Sequence, residues 1–334
     1  MLPIVDSTKL PRMTDRIQFR VDQRIVSATS LGSDLGGLGS WIGTQEKRPF
    51  FLTTRAGAIC SVLTLVVLIG ILYGRVLASM AQQWWSDANY GHGFLVPLFA
   101  AYILWRERGR IREVANQPSA WGIPIMLSAV GLLILGILGA EHFTARISLL
   151  VLLSGIVVFL VGWEALRSVA FPMGYLVFMV PLPAIIYYQL TFPLQLLASR
   201  LGANGLIALG VPTLREGNLL ILPNVTLEVV EACSGVRSLL SLLAAVVGYA
   251  YLTEPTIWKR WVLVALTIPI VILSNGLRLV SAGLLSFLLG PRADSGLAHT
   301  ALGLVVFGLA FLSILLVHSL LRRFTGRQIP ISVH

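Results

Sequence analysis

The sequence predicts an all-α polytopic membrane protein, and three observations carry that prediction. Of 334 residues, 56% are hydrophobic and 12% charged, where a soluble domain runs near about 25% charged. The mean hydropathy is +0.83, which excludes a soluble globular chain and a disordered one. Apolar runs recur at lengths near the roughly 20 residues that a helix needs to cross a bilayer. Basic residues then gather in alternate connections between those runs.

Eight apolar segments stand out, at residues 57–78, 90–105, 121–139, 147–163, 169–187, 236–252, 261–285 and 299–321. The second is short and holds Pro97. The stretch 190–212 is apolar in parts, but Pro193, Arg200 and Asn204 interrupt it. It reads as an interfacial or re-entrant helix and not as a further span. The count is tested by charge. Lys9, Arg12, Arg16, Arg20, Arg24, Lys47, Arg48 and Arg55 precede the first span. Arg106, Arg108, Arg110 and Arg112 follow the second, Arg167 the fourth, Lys259 and Arg260 the sixth, and Arg322, Arg323 and Arg327 the last. With eight spans these all fall on one side, which the positive-inside rule makes cytoplasmic, so both termini are expected there. The net charge of +10 is then topology and not a sign of nucleic-acid binding.

This divides the chain into a flexible cytoplasmic tail at 1–56, an eight-span membrane domain at 57–321 and a basic cytoplasmic tail at 322–334. The polar stretch ahead of the first span is unlike a cleaved signal peptide. The longest outer connection, 188–235, contains Leu219-Leu220-Ile221-Leu222, the turn signal Pro223-Asn224, and the alternating run Val225-Thr226-Leu227-Glu228-Val229. It predicts a small extracytoplasmic β-hairpin just before the sixth span.

The hairpin runs into Glu231-Ala232-Cys233-Ser234-Gly235-Val236-Arg237-Ser238. Cys233 stands where the sixth span begins, and the positive end of a helix favours its thiolate. Arg237, four residues on, shares its face. A lone cysteine is more often a small buried hydrophobe, but Glu231, Ser234 and Arg237 make this setting polar. In the seventh span, Asn275 and Arg278 interrupt an apolar run. An arginine there is costly and usually functional, the plainer alternative being a side chain that snorkels to the headgroups. His299 opens the eighth span. Cys233, Arg278 and His299 thus come from three spans at one outer level. A thiol, an imidazole and a guanidinium suit acyl transfer: nucleophile, acid/base and oxyanion stabiliser. His92, in Tyr90-Gly91-His92-Gly93-Phe94, lies at an outer helix start and either lines the same pocket or packs. Cys60 lies at the other bilayer level, about 30 Å away, so the two cysteines do not pair. No metal, nucleotide or serine-hydrolase motif occurs, and no metal or cofactor is expected.

These segments resemble the exosortase/archaeosortase family of eight-span membrane cysteine transpeptidases. The resemblance rests on Glu231 to Ser238, on Asn275-Gly276-Leu277-Arg278 and on His299, with Tyr90 to Pro97 and Pro181-Leu182-Pro183 in support, and covers residues 57–321. It implies a bacterial inner-membrane enzyme acting on membrane-anchored proteins. Their C-terminal sorting signal is a short motif such as Pro-Glu-Pro, then one span, then a basic cluster. It implies a link to exopolysaccharide and biofilm systems. By motif, Cys233 would be the nucleophile, Arg278 the transition-state stabiliser and His299 the general acid/base, with Arg237 an open alternative for the oxyanion. The acceptor nucleophile is left unidentified. The competing classes are a non-catalytic membrane component of polysaccharide assembly or export, a transporter, and a rhomboid-like serine protease. No internal repeat supports the transporter, and no Gly-x-Ser-x-Gly supports the serine protease.

Overall fold

Helices dominate the computed structural model, which describes residues 55–114, 116–229, 235–289 and 296–324. In chain order they are α1 (Arg55–Ser86), α2 (Leu95–Arg106), α3 (Arg108–Glu113), α4 (Gly122–Leu138), α5 (His142–Leu160), α6 (Trp163–Ser168), α7 (Ala170–Tyr175) and α8 (Ala184–Ala208), then α9 (Val236–Thr253), α10 (Ile257–Leu289) and α11 (Gly296–Phe324). Three short strands lie between α8 and α9: β1 (Leu214–Glu216), β2 (Leu219–Ile221) and β3 (Thr226–Glu228). The described residues from Val67 on form one compact unit, and those up to Val66 form another. Among the described residues from Val67 on, Ile71, Leu138 and Leu304 are typical of many large apolar side chains left exposed. A helix surface this apolar faces lipid, and the protein is a multi-pass membrane protein.

Five helices among the described residues, α1, α5, α9, α10 and α11, are long and apolar enough to cross a membrane. A sixth span arises if the bent pair Ala170–Met179 and Ala184–Ala208 is one crossing. Two segments expected as spans are shorter than expected. The segment at 90–105 opens with a 3₁₀ turn, Gly91–Phe94, leaving α2 with 12 residues. The segment at 121–139 is α4, of 17 residues. The fifth expected span, 169–187, is broken, and most of the stretch 190–212 lies in the helix after the break, which forms with the first half either a broken span or a re-entrant loop. Pro181 and Pro183 carry no N–H, so the helix stops at Met179, and a new 25-residue helix starts at Ala184. The two halves meet at 76°. Pro193 is carried within α8, whose Ala198, Ser199, Gly202, Ala203 and Leu206 are buried.

Each site-bearing turn has a local cause. Glu141 caps α5 by accepting from the N–H of Phe143 (3.2 Å) and of Thr144 (2.6 Å). Burial pushes this carboxyl up, but those bonds and the neighbouring His142 outweigh it and hold it below its ordinary value. α4 and α5 then pack backbone to backbone, since a side chain at Gly136 would lie 2.6 Å from the Ala145 nitrogen. The expected hairpin is present and extended. β2 and β3 pair antiparallel across Pro223-Asn224, and β1 adds to β2 as a third strand, in the order β1-β2-β3. The sheet does not lie loose on the surface. Leu220 is fully buried in a cluster with Leu206 of α8 and Leu279 of α10. Ser199 of α8 donates to the Gly217 carbonyl at 2.9 Å, which fixes the sheet on that helix.

Candidate active site

The sheet delivers the chain to the cysteine segment. Val229 is fully buried and donates its N–H to the Asn218 carbonyl. Glu231, Cys233 and Ser234 lie outside the described residues. The chain is next described at Gly235, whose φ of +84° is the left-handed conformation that glycine adopts without strain. Gly235 starts α9, and its carbonyl accepts from the Leu239 N–H. Both flanks of the cysteine segment are therefore anchored.

α10 lies against this start. A Cβ at Gly235 would meet the Asn275 side chain at 3.1 Å, and Asn275 itself is buried. One turn along α10, the Arg278 guanidinium reaches the third helix: a Cβ at Gly303 of α11 would lie 3.4 Å from its Nη2. Ser238, Ser274, Asn275, Arg278 and Gly303 share one narrow crevice. His299 stands in the first turn of α11, and its side chain lies outside the described residues. It precedes Gly303 by four residues, about 6 Å along the helix. Of the three residues expected to do chemistry, only the Arg278 side chain is among the described residues, in a crevice lined by α9, α10 and α11.

Arg237 and His92 take up different roles. Arg237 donates from Nε to Asn89 Oδ1 at 3.0 Å. Its side chain is turned toward the connection after α1. One turn along α9, Ser241 Oγ meets His92 Nδ1 at 3.2 Å. The segment 89–92 therefore runs beside α9, and His92 packs against that helix. Trp84 holds the segment from behind by donating to the Met179 carbonyl at 2.9 Å.

Sequence reading missed the largest cavity among these sites. It has about 380 Å³ and is lined by Gln83, Asp87, Asn89, Tyr90, Glu141, Arg146 and the residues after Val180. Its signal was present in Arg146, an arginine in an apolar run, masked by its closeness to the start of α5. A second missed cluster lies at the other end of α9. Glu254 meets His318 Nε2 at 3.2 Å and Lys259 Nζ at 3.9 Å, and Tyr249 meets His318 Nδ1 at 2.7 Å. No group of three or more metal-binding side chains occurs among the described residues.

Residues 84–316 match the family model described as transmembrane exosortase. That stretch runs from Trp84 through the cysteine segment and the Asn275–Arg278 turn into α11. No curated protein and no solved structure matches the chain.

Proposed function

This chain belongs to the transmembrane exosortase family, and from its geometry we propose a membrane-embedded cysteine transpeptidase that cleaves the C-terminal sorting signal of exported proteins. The family implies a sorting-signal-processing enzyme, generally a cysteine protease, with substrates of the Pro-Glu-Pro type. One observation carries the finer reading. Asn275 touches the start of α9, which follows Cys233, while Arg278, one turn away, touches α11 one turn past His299. The guanidinium thus stands between the two segments that hold the proposed nucleophile and base.

In the proposed reaction His299 takes the thiol proton, and the Cys233 sulfur attacks the scissile carbonyl. The tetrahedral oxyanion is stabilised by Arg278, with Arg237 assigned to holding Asn89. Collapse breaks the C–N bond, and His299 returns the proton to the departing amine. The membrane-anchored tail leaves, and the rest of the substrate stays as a thioester on Cys233. An amine, hydroxyl or water then attacks the thioester and regenerates the thiol. The basic loops support eight spans with both termini cytoplasmic. The short helices α2 and α4 and the bent pair would supply the crossings beyond the five long ones. On this reading the reaction takes place at the outer face of a bacterial inner membrane. The sheet, packed on α8, is placed to align an extended substrate.

The test is a processing assay. The enzyme is co-expressed with a reporter ending in a Pro-Glu-Pro motif, a span and a basic cluster, and wild type is compared with Cys233→Ala at matched membrane levels. The expected result is a shortened reporter with wild type and none with the variant. Equal shortening in both would remove Cys233 as nucleophile and favour a non-catalytic assembly protein.

A further inference from the structure

The cavity of about 380 Å³ lies within the ~300–1,000 Å³ of small-ligand clefts, and a buried arginine stands in its wall beside two carboxylates. Arg146 is 5% exposed, and its Nε has no hydrogen-bond partner among the described residues. No carboxylate lies within 4.0 Å of it among them, although Asp87 and Glu141 share the wall. Both acids are held by backbone. Asp87 accepts from the Asn89 N–H at 2.9 Å, and Glu141 accepts from Phe143 and Thr144. They shape the turns that form the wall; the Glu141 charge acts on the arginine from beyond ion-pair distance, and no hydrogen bond joins the two. A buried guanidinium with an unsatisfied Nε and no carboxylate within ion-pair distance is costly unless something brings it an anion.

The rest of the wall says where such an anion would come from. Tyr90 and Tyr187 stand with ring centroids 6.2 Å apart, in one cluster with Val236 of the cysteine segment. Asn89 accepts the hydrogen bond from Arg237 of the same segment. Anything filling the cavity therefore rests against residues that themselves contact Val236 and Arg237. Two tyrosine rings and one guanidinium in a single wall suit a carboxylate carried on a short peptide stretch, which a fork-shaped donor binds at two points.

We infer that this cavity is a recognition subsite for an acidic side chain of the protein substrate, with Arg146 as the residue that binds its carboxylate. The inference rests on the processing function proposed above. It adds what that function leaves open, namely which part of this chain selects the signal. Arg146 is a specificity residue and takes no part in the acyl transfer. The Asn89–Arg237 bond couples a filled cavity to the start of α9.

Binding separates this inference from the chemistry. The full-length Cys233→Ala enzyme, in phosphatidylcholine nanodiscs, is titrated with three acetylated peptides that differ at one position: Pro-Glu-Pro, Pro-Gln-Pro and Pro-Lys-Pro. The glutamate peptide is expected to bind at least about tenfold more tightly than the other two. Adding Arg146→Gln is expected to erase that preference, and Arg146→Lys to restore part of it. Since the first comparison needs no change at Arg146, a misfolded variant does not block the test. Equal affinity for all three peptides, tighter binding of the lysine peptide, or a glutamate preference that survives Arg146→Gln would each overturn the subsite. So would indifference to the acid together with a tenfold loss of peptide affinity in phosphatidylglycerol nanodiscs, which would assign the cavity to a lipid headgroup. A processing assay insensitive to Cys233→Ala, alongside a preserved glutamate preference, would sink the proposed chemistry and leave the subsite standing.

Discussion

The two ends of α9 carry buried charge in opposite conditions. At the Thr253 end, Glu254 is 3% exposed and its partners are all supplied: the His318 ring, the Thr256 amide and Lys259, with Tyr249 closing the far side of the ring. At the Gly235 end, Arg146 is as well buried but faces an open cavity. A completed network ties elements together; here it ties α9, the turn before α10, and α11. A charge left facing an open cavity spends stability on readiness for a ligand. The comparison suggests that one end of the molecule is built to hold and the other to receive.

The largest expected effect would break or establish the first half of that contrast. Glu254→Ala strands the histidine and lysine around a buried gap. Removing one partner of a buried pair costs about 3–5 kcal/mol. The thermal midpoint of the purified protein should fall steeply, while processing per folded molecule stays near wild type. An unchanged midpoint would show that the network is decorative.

The second expectation has the opposite sign. Arg146→Met replaces a buried charge with an unsatisfied Nε by an apolar side chain of similar length. Such replacements are often neutral or stabilising by about 1–4 kcal/mol. The midpoint should hold or rise while the preference for an acidic substrate disappears. A fall like that of Glu254→Ala would mean that Arg146 is structurally satisfied, and the contrast between the two ends would collapse.

The same contrast explains what was legible before the structure. Asn275 and Arg278 stood out because polar residues in one apolar run are individually expensive, so their cost shows in a one-dimensional pattern. Pro181 and Pro183 were visible too, but an apolar stretch on both sides concealed that they end one helix and begin another; periodicity measures burial, not continuity. The third strand was missed because Leu214–Glu216 is too short to alternate. The cavity was invisible for a different reason. Its wall joins residues 83–90, 140–146 and 181–188, three connections with no common spacing. Only tertiary packing brings them together. Glu254 and His318, 64 positions apart, meet for the same reason.

The smallest effect sharpens the comparison through acidity. Burial pushes the Glu254 carboxyl up, but the hydrogen bonds from His318 and Thr256 and the charge of Lys259 outweigh it and hold the carboxyl below its ordinary value of 4.5. A carboxyl lowered on folding contributes stability that is fully present above its unfolded value and is lost as pH falls through its folded one. The midpoint of the wild type should therefore be flat with respect to this group above about pH 5 and decline below it. Glu254→Gln keeps the shape and removes the titration, so its midpoint should start lower and decline less over the same range. Glu141, also lowered by its capping bonds, titrates in both proteins and leaves a residual slope. Arg146 has no carboxylate within 4.0 Å among the described residues and acts only on Glu141 from farther away, so Arg146→Met should keep the Glu254 part of the wild-type slope. Parallel acid profiles for wild type and Glu254→Gln would mean that this carboxyl is no better stabilised in the folded protein than in the unfolded chain. The end of α9 assigned to holding the bundle would then lose its electrostatic basis.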